Sequence, residues 1–359
     1  QTVRNLRSFQ FPEDAGPMAP PVRPQSYQQI SNFYTNTVYS KGAEVVRMIH
    51  TFLGPENFRK GIDLYFHRYD GHAVTTDDFV QAMQDASGFD LTQFKRWYDQ
   101  AGTPRLDVRD RYDPASQTYE LTVRQTCPPT PGQPEKHPFH LPFTVGLLDA
   151  QGQEILPLQL VGEAAPQGSN QVLSLRQETE VFCFVQVPEP PVPSLGRNFS
   201  APVVIHYDYS DEALIQLLSF DSDAFNRWEA GQRLAMKLLI QGIADYQSGC
   251  PIQFPDAFAM AFGRVLADAP SDPAFAAEAL ALPPEVYIGE QLEVVDPDAI
   301  HQVRQALRRH LAEHLQSALR NTYDACTAIG PYSPDAESAG RRSLRNLCLA
   351  YLMEGTDPE

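Results

Sequence analysis

The spacing of apolar residues changes twice along this chain, and this change limits the fold more than any other feature. From about Ser26 to Gly102 the apolar residues recur every three or four positions, as on one face of a helix. Between Thr103 and about Ala201 they alternate with polar residues, which is the two-residue period of half-buried strands. After Pro202 the helical period returns. The pattern predicts a multidomain α+β chain in which a β-sandwich lies between two helical segments.

Local signals place the elements inside each segment. Gly54-Pro55 ends one helix and begins the next, Thr75 and the acids after it cap a third, and the opening residues of the chain are typical of a loop. The residues from Asp113 to Ser116 predict a hairpin turn. Further strands are predicted at 143–147, 155–160, 172–175 and 181–187, and later helices at 211–218, 224–246, 256–266, 273–282, 298–323 and 337–353. We therefore predict boundaries at 1–102, 103–203 and 204–359.

Charge and cysteine content exclude several classes of protein. The 359 residues carry a formal net charge of −17, so nucleic acid is a poor partner. The sequence has no apolar run long enough to cross a bilayer, and we expect no membrane association. Five cysteines without CxxC spacing indicate neither a disulfide framework nor a thiolate zinc site, and a reducing cytoplasm fits them best.

One short motif has the spacing of a metal site. His310-Leu311-Ala312-Glu313-His314 matches the H-x-x-E-H arrangement, in which two histidines bind zinc and the glutamate is the general base. The apolar stripe of the predicted helix places Glu313 toward solvent, and the sequence gives no third ligand. An exposed helix face is therefore the simpler interpretation, and a metalloprotease site built on these residues is the weaker alternative.

A polar and aromatic stretch precedes the first long helix. Tyr34, Tyr39 and Lys41 near a helix N-terminus could donate hydrogen bonds to developing negative charge, which is how an oxyanion is stabilised. Tyrosines in such positions are also typical of aromatic side chains at the edge of a core, with solvated hydroxyls. Spacing alone leaves both interpretations open and favours the second.

The same stretch carries a family resemblance. The runs NFYTNTVYSKGAEVVRMIH, TTDDFVQAM, RWYDQAGTP and RSLRNLCLAYL resemble the bacterial aminopeptidase N group of zinc-dependent, gluzincin-type aminopeptidases. The resemblance implies removal of N-terminal residues, with alanine or basic residues preferred, from peptides. It implies that Tyr39 stabilises the oxyanion and that Tyr34 lines the pocket for the first substrate side chain. Ser31 and Ser40 occupy substrate-binding positions where related members have polar or acidic groups.

The resemblance also implies what each segment is. Residues 1–102 correspond to the C-terminal helical part of a thermolysin-like catalytic domain, 103–203 to the β-sandwich, and 204–359 to the first part of an α-helical superhelical domain. None of the nine histidines begins the zinc-binding HExxH motif of the family. His50 and His67, in the first helical segment, each lack the following glutamate. We expect no metal bound by this chain, with zinc held in the intact protein.

The expected result is an inactive middle segment of an enzyme. Its partners would be peptide substrates and the upstream zinc-binding segment. The alternative is a non-catalytic scaffold or protein-binding module derived from such an enzyme.

Overall fold

The fold was obtained as a computed structural model, which describes residues 2–163, 165, 168–327 and 330–355. It divides into two compact units, Gln1–Asp208 and Tyr209–Glu359. The first unit contains helices followed by two β-sheets, and the second unit is helical. The order of helical, β and helical segments is the one that the apolar spacing predicts.

The first unit begins with helical elements and short turns. Its α-helices are α1 Thr2–Asn5, α2 Phe11–Ala15, α3 Gly42–Tyr69, α4 Thr76–Ser87 and α5 Arg96–Asp99. Two π-helical turns, Leu6–Gln10 and Thr37–Lys41, and two 3₁₀ turns, Ile30–Phe33 and Gln93–Lys95, complete this part. The prediction of a loop at the opening residues was wrong, because Thr2–Ala15 is one helical run whose Leu6 is buried.

The helix signals of the sequence correspond to observed breaks and caps. Gly54 has φ +71°, so α3 consists of two helices that meet at the predicted Gly54-Pro55 break. Thr75 and Asp78 form a reciprocal capping box at the start of α4, and Gly88 ends that helix with φ +71°. These predictions are confirmed.

Two sheets follow the helices. The strands are β1 Arg105–Asp113, β2 Thr118–Thr126, β3 Leu141–Leu148, β4 Gln171–Leu175, β5 Thr179–Phe184, β6 Val192–Leu195 and β7 Val204–His206. One sheet has the order β5-β2-β1-β7, with only β1 and β7 parallel, and the other has the order β4-β3-β6 and is antiparallel. Every second residue of β2 is buried, whereas every residue of β3 is buried. The hairpin of β1 and β2 turns where the sequence predicts it.

Two details of the β segment differ from prediction. The predicted strand at 155–160 is wrong, because Leu160 forms only an isolated bridge with Phe184 and no residue of this described stretch belongs to a strand. Proline has no N–H to donate to a ladder, so it interrupts this apolar run. The predicted boundary after residue 203 precedes β7, which pairs with β1 and extends the first unit to Asp208.

An aromatic cluster joins the helices of the first unit to its sheets. The Trp97 ring lies 4.3 Å from that of Phe139, and its Nε1 donates to the His140 carbonyl at 2.9 Å. The Phe52 ring of α3 lies 4.4 Å from the imidazole of His140. Trp97 and His140 are fully buried, so helices and sheets share one core here.

The second unit is a succession of helices with short breaks. They are α6 Asp211–Phe220, α7 Ala224–Gln247, α8 Asp256–Asp268, α9 Pro273–Ala279, α10 Glu285–Gly289, α11 Pro297–Ala325 and α12 Ala336–Leu352. All except the short α10 are predicted from the apolar spacing. The side chains of Ser210, Asp223, Asp272, Asp296 and Asp335 each accept a hydrogen bond from a backbone N–H in the first turn of the helix that follows. Part of the acidity of this unit is therefore used in helix capping. None of the helices in the described part of the chain is both long and apolar enough to span a membrane.

Candidate active site

The two tyrosines singled out in the sequence lie together on the first unit. The rings of Tyr34 and Tyr39 are stacked, with centroids 6.1 Å apart and planes at 20°, and each residue is 60% exposed. Phe33 contacts Tyr34 edge-on at 6.1 Å, and Tyr27 contacts Phe33 at 5.8 Å. The result is an exposed aromatic surface that a ligand can reach.

The backbone of Tyr39 is held in a π-helical turn. Tyr39 is in the middle of Thr37–Lys41, which runs directly into α3, and its N–H donates to the Thr35 carbonyl at 3.1 Å. The Glu13 carboxylate, on α2, accepts from the backbone N–H groups of Thr37 at 2.9 Å and Asn36 at 3.2 Å. A carboxylate in this position accepts hydrogen bonds from otherwise free N–H groups, and its negative charge interacts favourably with the helix dipole. Such π-turns within helices are rare and often occur at functional sites.

A buried ion pair fixes the end of this turn. The Lys41 ammonium lies 2.8 Å from Asp14 Oδ2, and both side chains are only 1% exposed. Lys41 also donates to the Gly102 carbonyl at 2.8 Å and lies 5.8 Å from the centre of the Trp97 ring. The Thr103 hydroxyl donates to the same Asp14 oxygen at 2.8 Å. The Lys41 ammonium thus connects the two most distinctive runs of the sequence, since Lys41 belongs to VYSKG and its partners Trp97 and Gly102 belong to WYDQAGTP.

This burial corrects one prediction. The sequence suggests Lys41, together with Tyr34 and Tyr39, as a donor to developing negative charge on a ligand. Its ammonium group is instead used inside the protein, because a buried charge needs a partner. The candidate donors that a ligand can reach are the two phenols.

The tyrosine hydroxyls are available for such a role. Within the described residues, neither the Tyr34 nor the Tyr39 hydroxyl has a hydrogen-bond partner. Ser31 is exposed on the 3₁₀ turn before Tyr34, and Ser40 is half-buried beside Tyr39. No side-chain hydrogen bond of either serine occurs in the part of the chain that the structure describes, so their contribution to substrate binding stays a prediction.

Glu13 and Asp14 are the site residues that the sequence did not reveal. Both lie more than twenty residues before the turn that they hold, in the segment expected to be a loop. The available signal was the acidic pair after Pro12, because proline followed by acids is typical of the first turn of a helix. That signal predicts a helix but not the partners of its side chains.

The surroundings of Tyr39 do not form a metal site. Over residues 2–163, 165, 168–327 and 330–355, the only three His, Cys, Asp or Glu side chains close enough to share an ion are Asp256, His310 and His314 in the second unit. Glu313 of the H-x-x-E-H motif is exposed, as predicted, and is not in this group. The residues around Tyr39 therefore do not fit the zinc ion that the family resemblance implies.

Comparisons with known proteins agree along the whole length of the chain. Residues 2–98 match the model of the peptidase family M1 domain. Residues 102–208 match a domain of unknown function with an Ig-like fold, DUF3458, and residues 211–359 match its companion domain, described as ARM repeats. The predicted fold class, a catalytic-domain end followed by a sandwich and a helical array, is confirmed by these matches.

Relatives with the same architecture are known from several bacteria. The chain is 46% identical to aminopeptidase N of Escherichia coli over 98% of its own length and 40% of the relative. It is 41% identical to aminopeptidase N of Haemophilus influenzae, with the same coverage of 98% and 40%. A solved structure of Legionella pneumophila aminopeptidase A in complex with aspartic acid has 30% identity and a TM-score of 0.78, over 94% of this chain and 37% of that one. The chain thus spans about 40% of the length of the two aminopeptidase N relatives.

Proposed function

Because residues 2–98 match the peptidase family M1 domain and the chain resembles a segment of bacterial aminopeptidase N, we propose that it contributes to a zinc aminopeptidase that removes N-terminal residues from peptides. In this proposal Tyr39 donates a hydrogen bond to the oxyanion of the tetrahedral intermediate. The observation that carries the proposal is an exposed phenol, without a hydrogen-bond partner in the described residues, on a backbone fixed by buried charges.

Fixed geometry is what makes such a donor effective. A donor held in place before the reaction needs no reorganisation when charge develops on the substrate oxygen. Lys41, two residues after Tyr39, is held by Asp14 and Gly102, and Glu13 holds the start of the same turn. These contacts restrict the backbone on both sides of Tyr39, while the side chain stays accessible.

Tyr34 and the two serines are proposed to receive the first residue of the peptide. The Tyr34 ring stacks on Tyr39 and presents an exposed aromatic wall next to the proposed oxyanion donor. Ser31 and Ser40 place small neutral side chains nearby in sequence, and the proposed preference for alanine or basic side chains is the one that the family resemblance implies. The related Legionella enzyme was solved with an amino acid, which supports a pocket for a single residue.

The zinc ion is proposed to be held by residues outside this sequence, since the sequence has no HExxH motif. The 359-residue chain is therefore expected to be inactive by itself. All five cysteines are unpaired, which supports a reducing compartment and hence a cytoplasmic enzyme. The upstream zinc-binding segment and peptide substrates are the proposed partners.

The test is Tyr39→Phe in the whole enzyme that contains this chain. Loss of one oxyanion donor is expected to lower kcat by about 10²- to 10³-fold, with little change in KM and in zinc content. Tyr27→Phe is the matched control, because it removes the hydroxyl of another exposed tyrosine of the same aromatic surface and should leave kcat unchanged. Hydrolysis of an alanyl chromogenic substrate measures kcat and KM of both variants.

An unchanged kcat in Tyr39→Phe would remove this residue from the mechanism. A pull-down in which this chain captures a protein partner equally well with and without the upstream metal-binding chain would favour the non-catalytic scaffold instead.

A further inference from the structure

A group of metal-ligand side chains lies in the second unit. Asp256, His310 and His314 each place one ligand atom within 4.8 Å of the other two. The histidines are four residues apart on α11 and so lie on the same face of that helix. Asp256 is the first residue of α8. The fold thus supplies the third ligand that the sequence alone did not give.

His314 is oriented as a ligand. Its Nδ1 lies 2.8 Å from the His310 carbonyl, which can only accept, so this nitrogen carries the ring proton. In a neutral ring the Nε2 atom is then an acceptor, yet it lies 3.1 Å from Asp256 Oδ1, which is also an acceptor. Two acceptors facing each other need a cation between them, either a second proton or a metal ion.

His310 provides a second available nitrogen. Its ring centroid lies 4.2 Å from that of His314, and its Nε2 atom is buried with no hydrogen-bond partner among the described residues. The ring also packs against Phe254, with ring centroids 5.7 Å apart. Histidines that bind metals are usually held as His314 is, by a backbone carbonyl on one nitrogen.

The two helices that carry the ligands are packed closely. At Gly263 of α8, an added Cβ atom would lie 3.1 Å from a methyl carbon of Leu315 on α11. Close packing at this point keeps the start of α8 beside the histidine face of α11. All three ligands therefore lie on helices that pack against each other.

We propose that Asp256, His310 and His314 bind one divalent transition-metal ion of the zinc class, with water completing its coordination. Zinc bonds of about 2.0–2.2 Å in a tetrahedron place neighbouring ligand atoms about 3.3 Å apart, close to the observed separation of His314 and Asp256. Glu313 lies outside the group, so the site lacks the general base of an H-x-x-E-H peptidase. Its role is to link the start of α8 to α11.

The proposal is tested by titrating the 359-residue chain with Zn²⁺ in a calorimeter. All samples carry Cys250→Ser, because this exposed thiol could bind zinc by itself. One equivalent of Zn²⁺ is expected to bind. Asp256→Asn and His314→Ala should each weaken that binding by at least about tenfold, the loss caused by removing even an outer-shell partner of a metal ligand.

Two matched controls distinguish this site from zinc binding by a single surface histidine and from an H-x-x-E-H site. His301→Ala removes an exposed histidine of the same helix, which contacts Glu285 at 2.9 Å, and should leave the affinity unchanged. Glu313→Gln should also leave it unchanged, whereas the H-x-x-E-H interpretation requires this glutamate. Far-UV circular dichroism verifies that every variant is folded.

Thermal unfolding gives a second measurement. Zn²⁺ should raise the Tm of the second unit in the parent and in His301→Ala, but not in His314→Ala. Equal zinc affinity in the parent and His314→Ala, or no zinc binding by the folded parent, would overturn the proposal. Either result is independent of the aminopeptidase proposal, which uses no residue of this unit.

Discussion

The ion pair of Lys41 and Asp14 gives the sharpest prediction about the first unit. Lys41→Met removes the ammonium group but keeps a flexible apolar side chain of similar length. Asp14 would then be a carboxylate that is 1% exposed and has lost its partner at 2.8 Å. The Gly102 carbonyl would also lose a donor. The variant should therefore be strongly destabilised.

The size of the effect follows from the burial of both groups. Removing one partner of a buried pair typically costs about 3–5 kcal/mol, because the other charge stays uncompensated. The remaining hydrogen bond from Thr103 to Asp14 places the expected loss toward the lower end of this range. With a urea dependence of roughly 2 kcal/mol/M, the midpoint of unfolding should fall by about 1.5–2 M. Lys60→Met, at an exposed position of α3, should change stability by no more than about 0.5 kcal/mol.

Tryptophan fluorescence can report this loss for the first unit alone. The chain has two tryptophans, and Trp97 lies against Lys41 whereas Trp228 belongs to the second unit. In a Trp228→Phe background, urea unfolding followed by fluorescence therefore measures the first unit. The double variant Lys41→Met, Asp14→Asn should lose less free energy of unfolding than the two single variants lose in sum, because it leaves no buried charge. A loss below about 1 kcal/mol in Lys41→Met would refute the reasoning.

Two further variants test the core of the same unit. Burial, more than the nearby Arg176, lowers the pKa of His140 from 6.5 to about 4. The unfolded chain therefore binds more protons between these values, and urea unfolding should show stability rising from pH 4 to 6.5 by at most about 1.4 kcal/mol per pH unit. His140→Gln should remove this part of the slope, whereas His72→Gln, at an exposed position, should not. Gly102 has φ +97°, and an added Cβ would lie 2.9 Å from the Cys127 sulfur, so Gly102→Ala should lower Tm more than Gly71→Ala, where an added Cβ meets nothing within 4 Å.

Local signals predicted the helices well, because those signals are complete in the sequence. The stop at Gly54, the capping box of Thr75 and the end at Gly88 each depend on residues within a few positions of each other. The run at 155–160 failed for the opposite reason. Its apolar residues have strand-like spacing, but pairing depends on a partner strand and on backbone N–H groups, and Pro157 supplies no N–H.

The candidate site was predictable only in part. The family resemblance pointed to Tyr34 and Tyr39, and the structure brings their rings together. The role of Lys41 was not predictable, since its partners lie 27 and 61 residues away in sequence. The same holds for Asp256, which follows a proline more than fifty residues before His310. Contacts over such separations are set by packing and leave no periodic signal in the sequence.

The contacts of Lys41 explain how two distant runs of sequence together fix the backbone next to Tyr39. An ammonium group has three protons to donate, and here they meet a carboxylate, a backbone carbonyl and the face of Trp97. The carbonyl belongs to Gly102, whose φ of +97° favours glycine at this position. A change in the WYDQAGTP run would therefore act on Lys41, and through two residues of a rigid π-turn on the position of Tyr39. Under the proposed function Lys41 is a positioning residue, and its loss is expected to lower kcat of the whole enzyme without altering the chemistry of the Tyr39 hydroxyl itself.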